Sequence, residues 1–150
     1  MSSDPRSRAQ RRRDTEHRLA HDIDVWVASA SADGAPYLVP LSFDWDGEAL
    51  LVATAPDSPT GRNLTATRAV RLGLGHTRDV FMIEGEVEGV EIDALPQERG
   101  DRFAERTGFD PRALATPYRW YRISPRRIQA WREVNELPDR ELMRQGRWLA

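Results

Sequence analysis

Alternating apolar and polar residues run through most of the chain and predict β-strands. The alternation places strands at residues 25–30, 37–45, 48–54, 70–74, 81–87, 118–123 and 128–133, the last two on either side of Ser124-Pro125. Pro40 cannot donate to a strand ladder, so we expect its strand to lie at a sheet edge or to be bulged there. A slip in the apolar phase at Gly89-Val90 predicts a bulge in the fifth strand.

Two helices are predicted between these strands. One is short and begins at Ser58-Pro59, and the other covers residues 94–107, with Asp93 as its N-cap and Gly108 as its stop. Six or seven short strands combined with such helices favour a mainly β, α+β fold, a small barrel with Greek-key-like closure.

The two ends of the chain differ from the middle. Residues 1–22 are a polar, arginine-rich arm or helix whose apolar positions are too few to define a core-facing stripe. Residues 135–150 form a tail that carries Trp148 close to its end. We therefore expect an N-terminal segment at residues 1–22, a single barrel domain at residues 23–134 and a C-terminal tail at residues 135–150.

Composition excludes several kinds of chemistry. The 150 residues include no cysteine, which rules out thiolate metal sites and cysteine nucleophiles, and no lysine, which rules out Schiff-base catalysis. The three histidines have no metal-ligand spacing, so no metal site is expected. The formal net charge of -2 gives no overall attraction to nucleic acid or membranes. With no signal-like or membrane-length apolar run, we expect a cytoplasmic protein.

The turn after the third strand is the first candidate for a ligand site. Ser58 can cap a helix there, Pro59 suits its first turn, and Thr60 offers a second hydroxyl. A helix start favours anions, Arg62 adds donors matched to phosphate oxygens, and Asn63 adds an amide. The segment is therefore either a phosphate cradle or simply a capped helix with Arg62 in water.

A second candidate is the arginine-rich interval from residue 112 to residue 132. It holds six arginines and no acidic residue, interleaved with Tyr118, Trp120, Tyr121 and Trp131. This combination is typical of a single-strand nucleic-acid surface. It equally fits cation–π packing within a sheet and a wall for an anionic aromatic ligand.

Five segments follow one another in a recognisable order. They are Asp33-Gly34-Ala35-Pro36; Val39-Pro40-Leu41-Ser42-Phe43 with Asp46-Gly47; Thr54 with Ser58-Pro59-Thr60-Gly61-Arg62-Asn63-Leu64; Val70-Arg71-Leu72-Gly73-Leu74; and Gly85-Glu86-Val87. Their order and spacing resemble the pyridoxamine 5'-phosphate oxidase-like split β-barrels, which include flavin- and deazaflavin-dependent oxidoreductases. The resemblance covers roughly residues 23–131.

This resemblance implies a six- to seven-stranded split β-barrel with short peripheral helices, assembled as a homodimer with two flavin-type cofactors at the subunit interface. The cofactor phosphate would lie at residues 54–63, and the ring would lie against residues 39–42. The implied cofactor-binding residues are Val39, Pro40, Leu41, Ser42, Thr54, Ser58, Pro59, Thr60, Arg62 and Asn63. We also expect Trp120 and Trp148 to help exclude water from the ring.

The resulting hypothesis is an oxidoreductase that uses FMN or the deazaflavin F420 to transfer a hydride to or from a small planar or conjugated substrate. FMN and F420 fit equally, because both bring a phosphate and a tricyclic ring. No catalytic residue is identified; His76 and Tyr118 are candidates only because they can donate a proton. The alternative is a non-catalytic module that binds flavin or F420 on the same scaffold.

Overall fold

The computed structural model describes residues 4–150 as one sheet of nine strands with three α-helices and two short 3-10 helices. The strands are β1 (Asp24–Ala30), β2 (Pro36–Ser42), β3 (Asp44–Trp45), β4 (Leu50–Thr54), β5 (Ala69–His76), β6 (Asp79–Glu91), β7 (Arg119–Trp131), β8 (Glu141–Arg144) and β9 (Arg147–Trp148). The helices are α1 (Arg8–His21), α2 (Pro59–Thr67) and α3 (Gln97–Thr107), and the 3-10 helices are Pro111–Ala113 and Val134–Glu136. The α+β fold class is confirmed.

The strands are arranged so that the sheet curls back on itself. Their order is β2-β1-β5-β6-β7-β4-β3, with β8 on β7 and β9 on β8. The two ends of this path, β2 and β3, are separated by a single residue, Phe43. The path therefore closes through the chain rather than through a strand ladder, which makes the barrel a split one. Within residues 4–150, β2 pairs with β1 alone, so Pro40 lies on an edge strand, as predicted.

Strand β7 runs without interruption through Pro125, so the prediction of two separate strands around this proline is wrong. The register between β6 and β7 shifts between Glu84 and Gly85: Glu84 pairs with Arg127 and Gly85 with Pro125, so the backbone ladder skips Arg126. The predicted bulge at Gly89-Val90 is wrong, because these residues pair in continuous register with Tyr121 and Trp120. The irregularity belongs at the proline, where a missing N–H is tolerated.

Two apolar clusters lie on opposite faces of the curled sheet. The larger fills the barrel and includes Val27, Phe43, Val52, Ile83 and Ile123. The smaller lies beneath α3 and contains Leu51, Ala53, Phe103 and Trp120. Strand β4 is buried along its whole length because it contributes alternate residues to the two clusters.

Helix α3 begins later than predicted, because Pro96 rather than Asp93 is its N-cap. It does end at Gly108, whose φ of 73° is left-handed. Because it has few apolar residues, its arginines attach it to the barrel through ion pairs. Arg99 forms a 3.0 Å ion pair with Asp46, and Arg106 lies 3.3 Å from the buried carboxylate of Asp44.

Helix α1 packs on the barrel although its apolar residues are few. Leu19 and Thr15 are buried, and so is Arg11, whose Nη1 donates to the carbonyls of Ala130 and Glu136 at 3.0 and 2.9 Å. The small number of apolar residues did not predict that this helix packs on the barrel. It packs because an arginine that donates to backbone carbonyls can occupy a buried position. Residues 1–3 of the predicted N-terminal segment lie outside the described part of the chain.

The last residues of the chain belong to the sheet. Strand β8 pairs with β7, and β9 pairs with β8. Trp148 packs against the barrel core, and the guanidinium of Arg12 on α1 lies 4.6 Å from the centre of its ring. The segment that the sequence treats as a tail is thus a β-hairpin joined to α1. No helix in residues 4–150 has the length and apolar character needed to cross a membrane.

Glu136 fastens the N-terminal segment to the end of β7. Its carboxylate accepts hydrogen bonds from Nε and Nη2 of Arg6 at 3.0 and 2.7 Å and from the backbone N–H groups of Arg6 and Arg132. The bonds from the Arg6 side chain are the main reason that the pKa of Glu136 falls to about 2, although burial opposes the shift. A pKa below the ordinary value means that folding favours the ionised form.

We predict that Glu136→Gln lowers the free energy of unfolding at pH 7 by roughly 3 kcal/mol, the value of the pKa depression. The stabilisation is complete above the ordinary glutamate pKa of 4.5 and disappears as the pH falls toward about 2. Urea unfolding at pH 7, 4 and 2.5 should therefore show the difference from the native protein shrinking with acid. Glu133→Gln, which removes an exposed pair with Arg78, is the control and should change stability by under about 1 kcal/mol. A difference that is constant across pH would contradict the assignment.

Candidate functional site

The segment predicted to hold a phosphate, residues 54–63, forms the turn from β4 into α2. Ser58 is the N-cap of α2: its hydroxyl accepts from the Gly61 N–H at 3.1 Å and donates to the Ala55 carbonyl at 2.7 Å. The hydroxyl of Thr54 lies 3.3 Å from that of Ser58. The capping interaction that the sequence left as one of two interpretations is therefore present.

The other candidate residues of α2 differ in their access to solvent. Arg62 is exposed, and its Nη1 donates to a backbone carbonyl of its own turn at 2.7 Å. Asn63 is buried, and its amide donates to the Ser29 hydroxyl at 3.1 Å, which ties α2 to β1. Pro59 is exposed in the first turn of the helix, and Thr60 is buried. Arg62 is thus open to a ligand, whereas Asn63 is used by the fold.

Some of the predicted residues at this turn have hydrogen-bond donors that suit a phosphate. The Nε and Nη2 of Arg62 make no hydrogen bond within residues 4–150, and a guanidinium matches the geometry of phosphate oxygens. Ser58 has no donor to spare, because its hydroxyl hydrogen is directed at Ala55. Thr54 is buried, and its hydroxyl must then be the donor in the 3.3 Å contact with Ser58. A phosphate here would rest mainly on Arg62.

The residues predicted to face the ring lie on β2, at one side of the split. Val39 and Leu41 are half-buried against the barrel core, and Pro40 is exposed on the other face. Ser42 donates to the Asp24 carboxylate at 2.9 Å. Because β2 pairs on one side only, its other edge presents backbone groups toward the gap in the sheet path.

The two tryptophans lie elsewhere. Trp120 has no exposed surface; it packs edge-on against Phe103 of α3, and its Nε1 donates to the Ile92 carbonyl at 3.2 Å. Trp148 lies under Arg12 of α1. The structure does not bring either indole to the turn at residues 54–63, because one faces α3 and the other faces α1.

An open groove of about 780 Å³ lies on the outer side of the sheet near the end of α2. Its walls include Ala28, Ala30, Leu38 and Ala69, with Arg71 at its rim. None of the residues predicted for the phosphate or the ring lines it. Residues 4–150 also contain no cluster of His, Cys, Asp or Glu side chains suited to a metal ion.

The arginine-rich interval is neutralised by acids from other parts of the chain. Its ion pairs are Arg112 with Asp101 and Asp110, Arg119 with Glu91, Arg122 with Asp46, Arg126 with Glu86, Arg127 with Glu84 and Glu141, and Arg132 with Asp79. Trp120 and Tyr121 are buried. This arrangement offers neither an unbalanced basic surface nor these two aromatics for stacking, so the nucleic-acid alternative loses its basis.

The sequence also matches a protein family. The family described as Pyridoxamine 5'-phosphate oxidase matches residues 16–132, most of the chain. The chain belongs to this family. The resemblance drawn from the five segments is thereby confirmed. The match extends from α1 to the end of β7, so the β8–β9 hairpin lies beyond it. No curated protein matches the sequence.

Solved structures with the fold of this family superpose on the chain at low sequence identity. An F420 reductase is 22% identical with a TM-score of 0.61, and the alignment covers 75% of this chain and 94% of that one. A putative pyridoxamine 5'-phosphate oxidase from Listeria innocua is 16% identical with a TM-score of 0.65, covering 81% and 98%. An FAD-binding protein from Mesorhizobium loti is 18% identical with a TM-score of 0.61, covering 78% and 89%. These likenesses support the fold.

Two residues that contact the turn at residues 54–63 were not among the predicted cofactor-binding residues, namely Gly61 and Tyr121. A Cβ on Gly61 would lie 2.2 Å from the Ala55 carbonyl, so the helix can approach its own turn only with glycine there. The Tyr121 hydroxyl donates to the Gly61 carbonyl at 3.4 Å, which places a β7 side chain beneath α2. The glycine could have been noticed from its place within the Ser58–Leu64 segment, whereas the tyrosine contact depends on strand order.

We predict that Gly61→Ala destabilises the protein by about 2 kcal/mol, because the added methyl group would push the turn away from the helix. The intrinsic helix propensity of alanine would give the opposite sign, a gain of about 1 kcal/mol. Thermal and urea unfolding decide between the two. Gly73→Ala is the matched control, since its Cβ would lie 3.8 Å from Met82 and Trp26 in ordinary contact. A Gly61→Ala protein as stable as the native one would refute the close approach.

Proposed function

We propose that the protein is a flavin- or deazaflavin-dependent oxidoreductase that binds FMN or F420 and acts on a small planar or conjugated substrate. The observation that carries this proposal is the family match across residues 16–132 together with an exposed guanidinium at the turn between β4 and α2. The structural likeness to proteins named F420 reductase and FAD-binding protein supports it further.

The chain's own residues would bind and orient the cofactor. Arg62 would hold the phosphate, and the unpaired edge of β2 at residues 39–42 would address the ring with backbone groups. A flavin-type cofactor supplies the hydride chemistry itself when bound. The protein then needs only to position the ring, admit the substrate and limit access of water.

Neither of the two predicted proton donors lies at this turn, which supports a second candidate function without catalysis. His76 is exposed at the end of β5, and Tyr118 packs against Phe109 with ring centres 6.0 Å apart. Neither side chain belongs to the turn at residues 54–63. The second candidate is a non-catalytic module that binds flavin or F420. Steady-state turnover with a panel of electron acceptors separates the two functions, since the module would bind the cofactor without turning over.

A homodimer would use the exposed outer face of the sheet. Trp26, Leu38 and Met82 are 52%, 60% and 45% exposed, which is high for large apolar side chains. Strand pairing aligns Pro40, Trp26, Gly73 and Met82 in one row across β2, β1, β5 and β6. The open groove adjoins this row at Leu38. A contiguous apolar face of this kind is typical of an association surface, and we propose a second copy of the chain as its partner.

We predict that Trp26→Glu converts the protein from dimer to monomer at micromolar concentration, because a buried unpaired charge opposes association. Light scattering after size-exclusion chromatography measures the molar mass. Val134→Glu changes an apolar residue that is 77% exposed outside this face, so it should leave the dimer intact. A native protein that is monomeric would rule out the dimer.

We predict that the protein binds FMN or F420 with micromolar or better affinity and that Arg62→Ala weakens this binding at least tenfold, about 1.4 kcal/mol. Absorbance and fluorescence titrations with each cofactor provide the measurement. Arg78→Ala serves as the control, because Arg78 is an exposed arginine that pairs with Glu133. Unchanged affinity in Arg62→Ala would reject the phosphate assignment, and absence of binding by the native protein would reject the proposed function.

A further inference from the structure

Arg119, at the start of β7, is an arginine with unused donors in a largely covered position. Only 26% of its side chain is exposed. Its Nε–H is buried without a hydrogen-bond acceptor: the Glu91 carboxylate lies 3.2 Å away but outside hydrogen-bonding geometry. Its two terminal nitrogens likewise make no hydrogen bond within residues 4–150. A covered guanidinium without hydrogen bonds is unusual, since buried donors are normally satisfied.

The surroundings hold this guanidinium in a defined place. It lies against Gly89 of β6, where a Cβ would be 2.7 Å from its Cζ and 2.9 Å from each terminal nitrogen. It also lies over Tyr121, with its Cζ 5.9 Å from the ring centre. A glycine below and an aromatic ring beside it orient the group without using its donors. Gly89, which the sequence suggested as a bulge, instead provides the space for Arg119.

Strand pairing puts Arg119 on the side of the sheet that leads to the phosphate turn. Arg119 is directly opposite Thr54, the last residue of β4, so the two side chains share a face. On that face the Thr54 hydroxyl is 3.3 Å from Ser58, and Tyr121 reaches α2 through the Gly61 carbonyl. Arg119 thus lies on the face of the sheet that Tyr121 joins to α2, the helix that carries Arg62.

We infer that Arg119 is a second anion-binding residue at this site, donating its terminal N–H groups to an oxygen of a phosphate. In its cofactor form this inference rests on the proposed function, because the phosphate would be that of FMN or F420. The same chemistry would also serve a free phosphorylated ligand. Arg119 makes no hydrogen bond that the fold requires, so its loss should affect phosphate binding much more than stability.

The test compares FMN with riboflavin, which differ by the phosphate alone. Arg119→Gln should weaken FMN binding at least tenfold, leave riboflavin affinity unchanged within twofold and leave the unfolding midpoint unchanged. Gly89→Ala keeps the arginine but fills the space beneath it, so it should reproduce the loss of FMN affinity. Arg122→Gln is the matched control: it lies on the same strand with 32% exposure but faces the other side, against Asp46. It should bind FMN as the native protein does.

A second arm uses inorganic phosphate alone, titrated calorimetrically at low ionic strength into native and Arg119→Gln proteins. If the native protein binds neither FMN nor F420 but binds phosphate in a way that Arg119→Gln abolishes, the proposed function fails and the anion site stands. Equal losses for FMN and riboflavin would overturn the inference, because the phosphate would not be the contact. An Arg119→Gln protein that binds FMN and phosphate normally, or a native protein that binds no phosphate-bearing ligand, would overturn it too.

Discussion

Strand β7 is the element on which the architecture depends, because it is shared by both halves of the split barrel. One of its edges pairs with β6 along almost the whole strand, and the other pairs first with β4 and then with β8. Pro125 lies between the β4 and β8 segments, where the register with β6 also shifts. A residue without an N–H is tolerated there, so the strand that places Tyr121 beneath α2 continues without a break to Trp131.

Arginine side chains supply several of the long-range polar contacts of this fold. Arg11 substitutes for a core residue by donating to carbonyls, Arg106 neutralises the buried Asp44, and Arg6 secures Glu136. The guanidinium suits these roles because it stays charged and offers several donors in one plane. Arg119 differs from these three, since its guanidinium lies 3.2 Å from the Glu91 carboxylate but makes no hydrogen bond within residues 4–150.

Local patterns were sufficient for much of this structure. Alternation located the strands from β1 to β7 but not the β8–β9 hairpin, the proline rule placed β2 at an edge, and Ser58-Pro59 marked the start of α2. Predictions were wrong where distant residues decide the outcome. From sequence alone Pro125 predicts a break in the strand, and only the register with β6 shows that β7 continues through it. The predicted phosphate turn was located in sequence, but Arg119 was only one of six arginines, and only strand pairing distinguishes it by setting it opposite Thr54 on a glycine. The role of these residues toward a ligand stays a prediction.

The contacts of α1 also bear on how the chain matures. Arg6 and Arg11 bind residues near 130–138, more than a hundred positions away, so these contacts form only after the end of β7 has been made. During synthesis on the ribosome the barrel strands up to β6 would emerge before these two arginines could bind their partners. Their contacts would then form late, delayed by the long separation between the two ends.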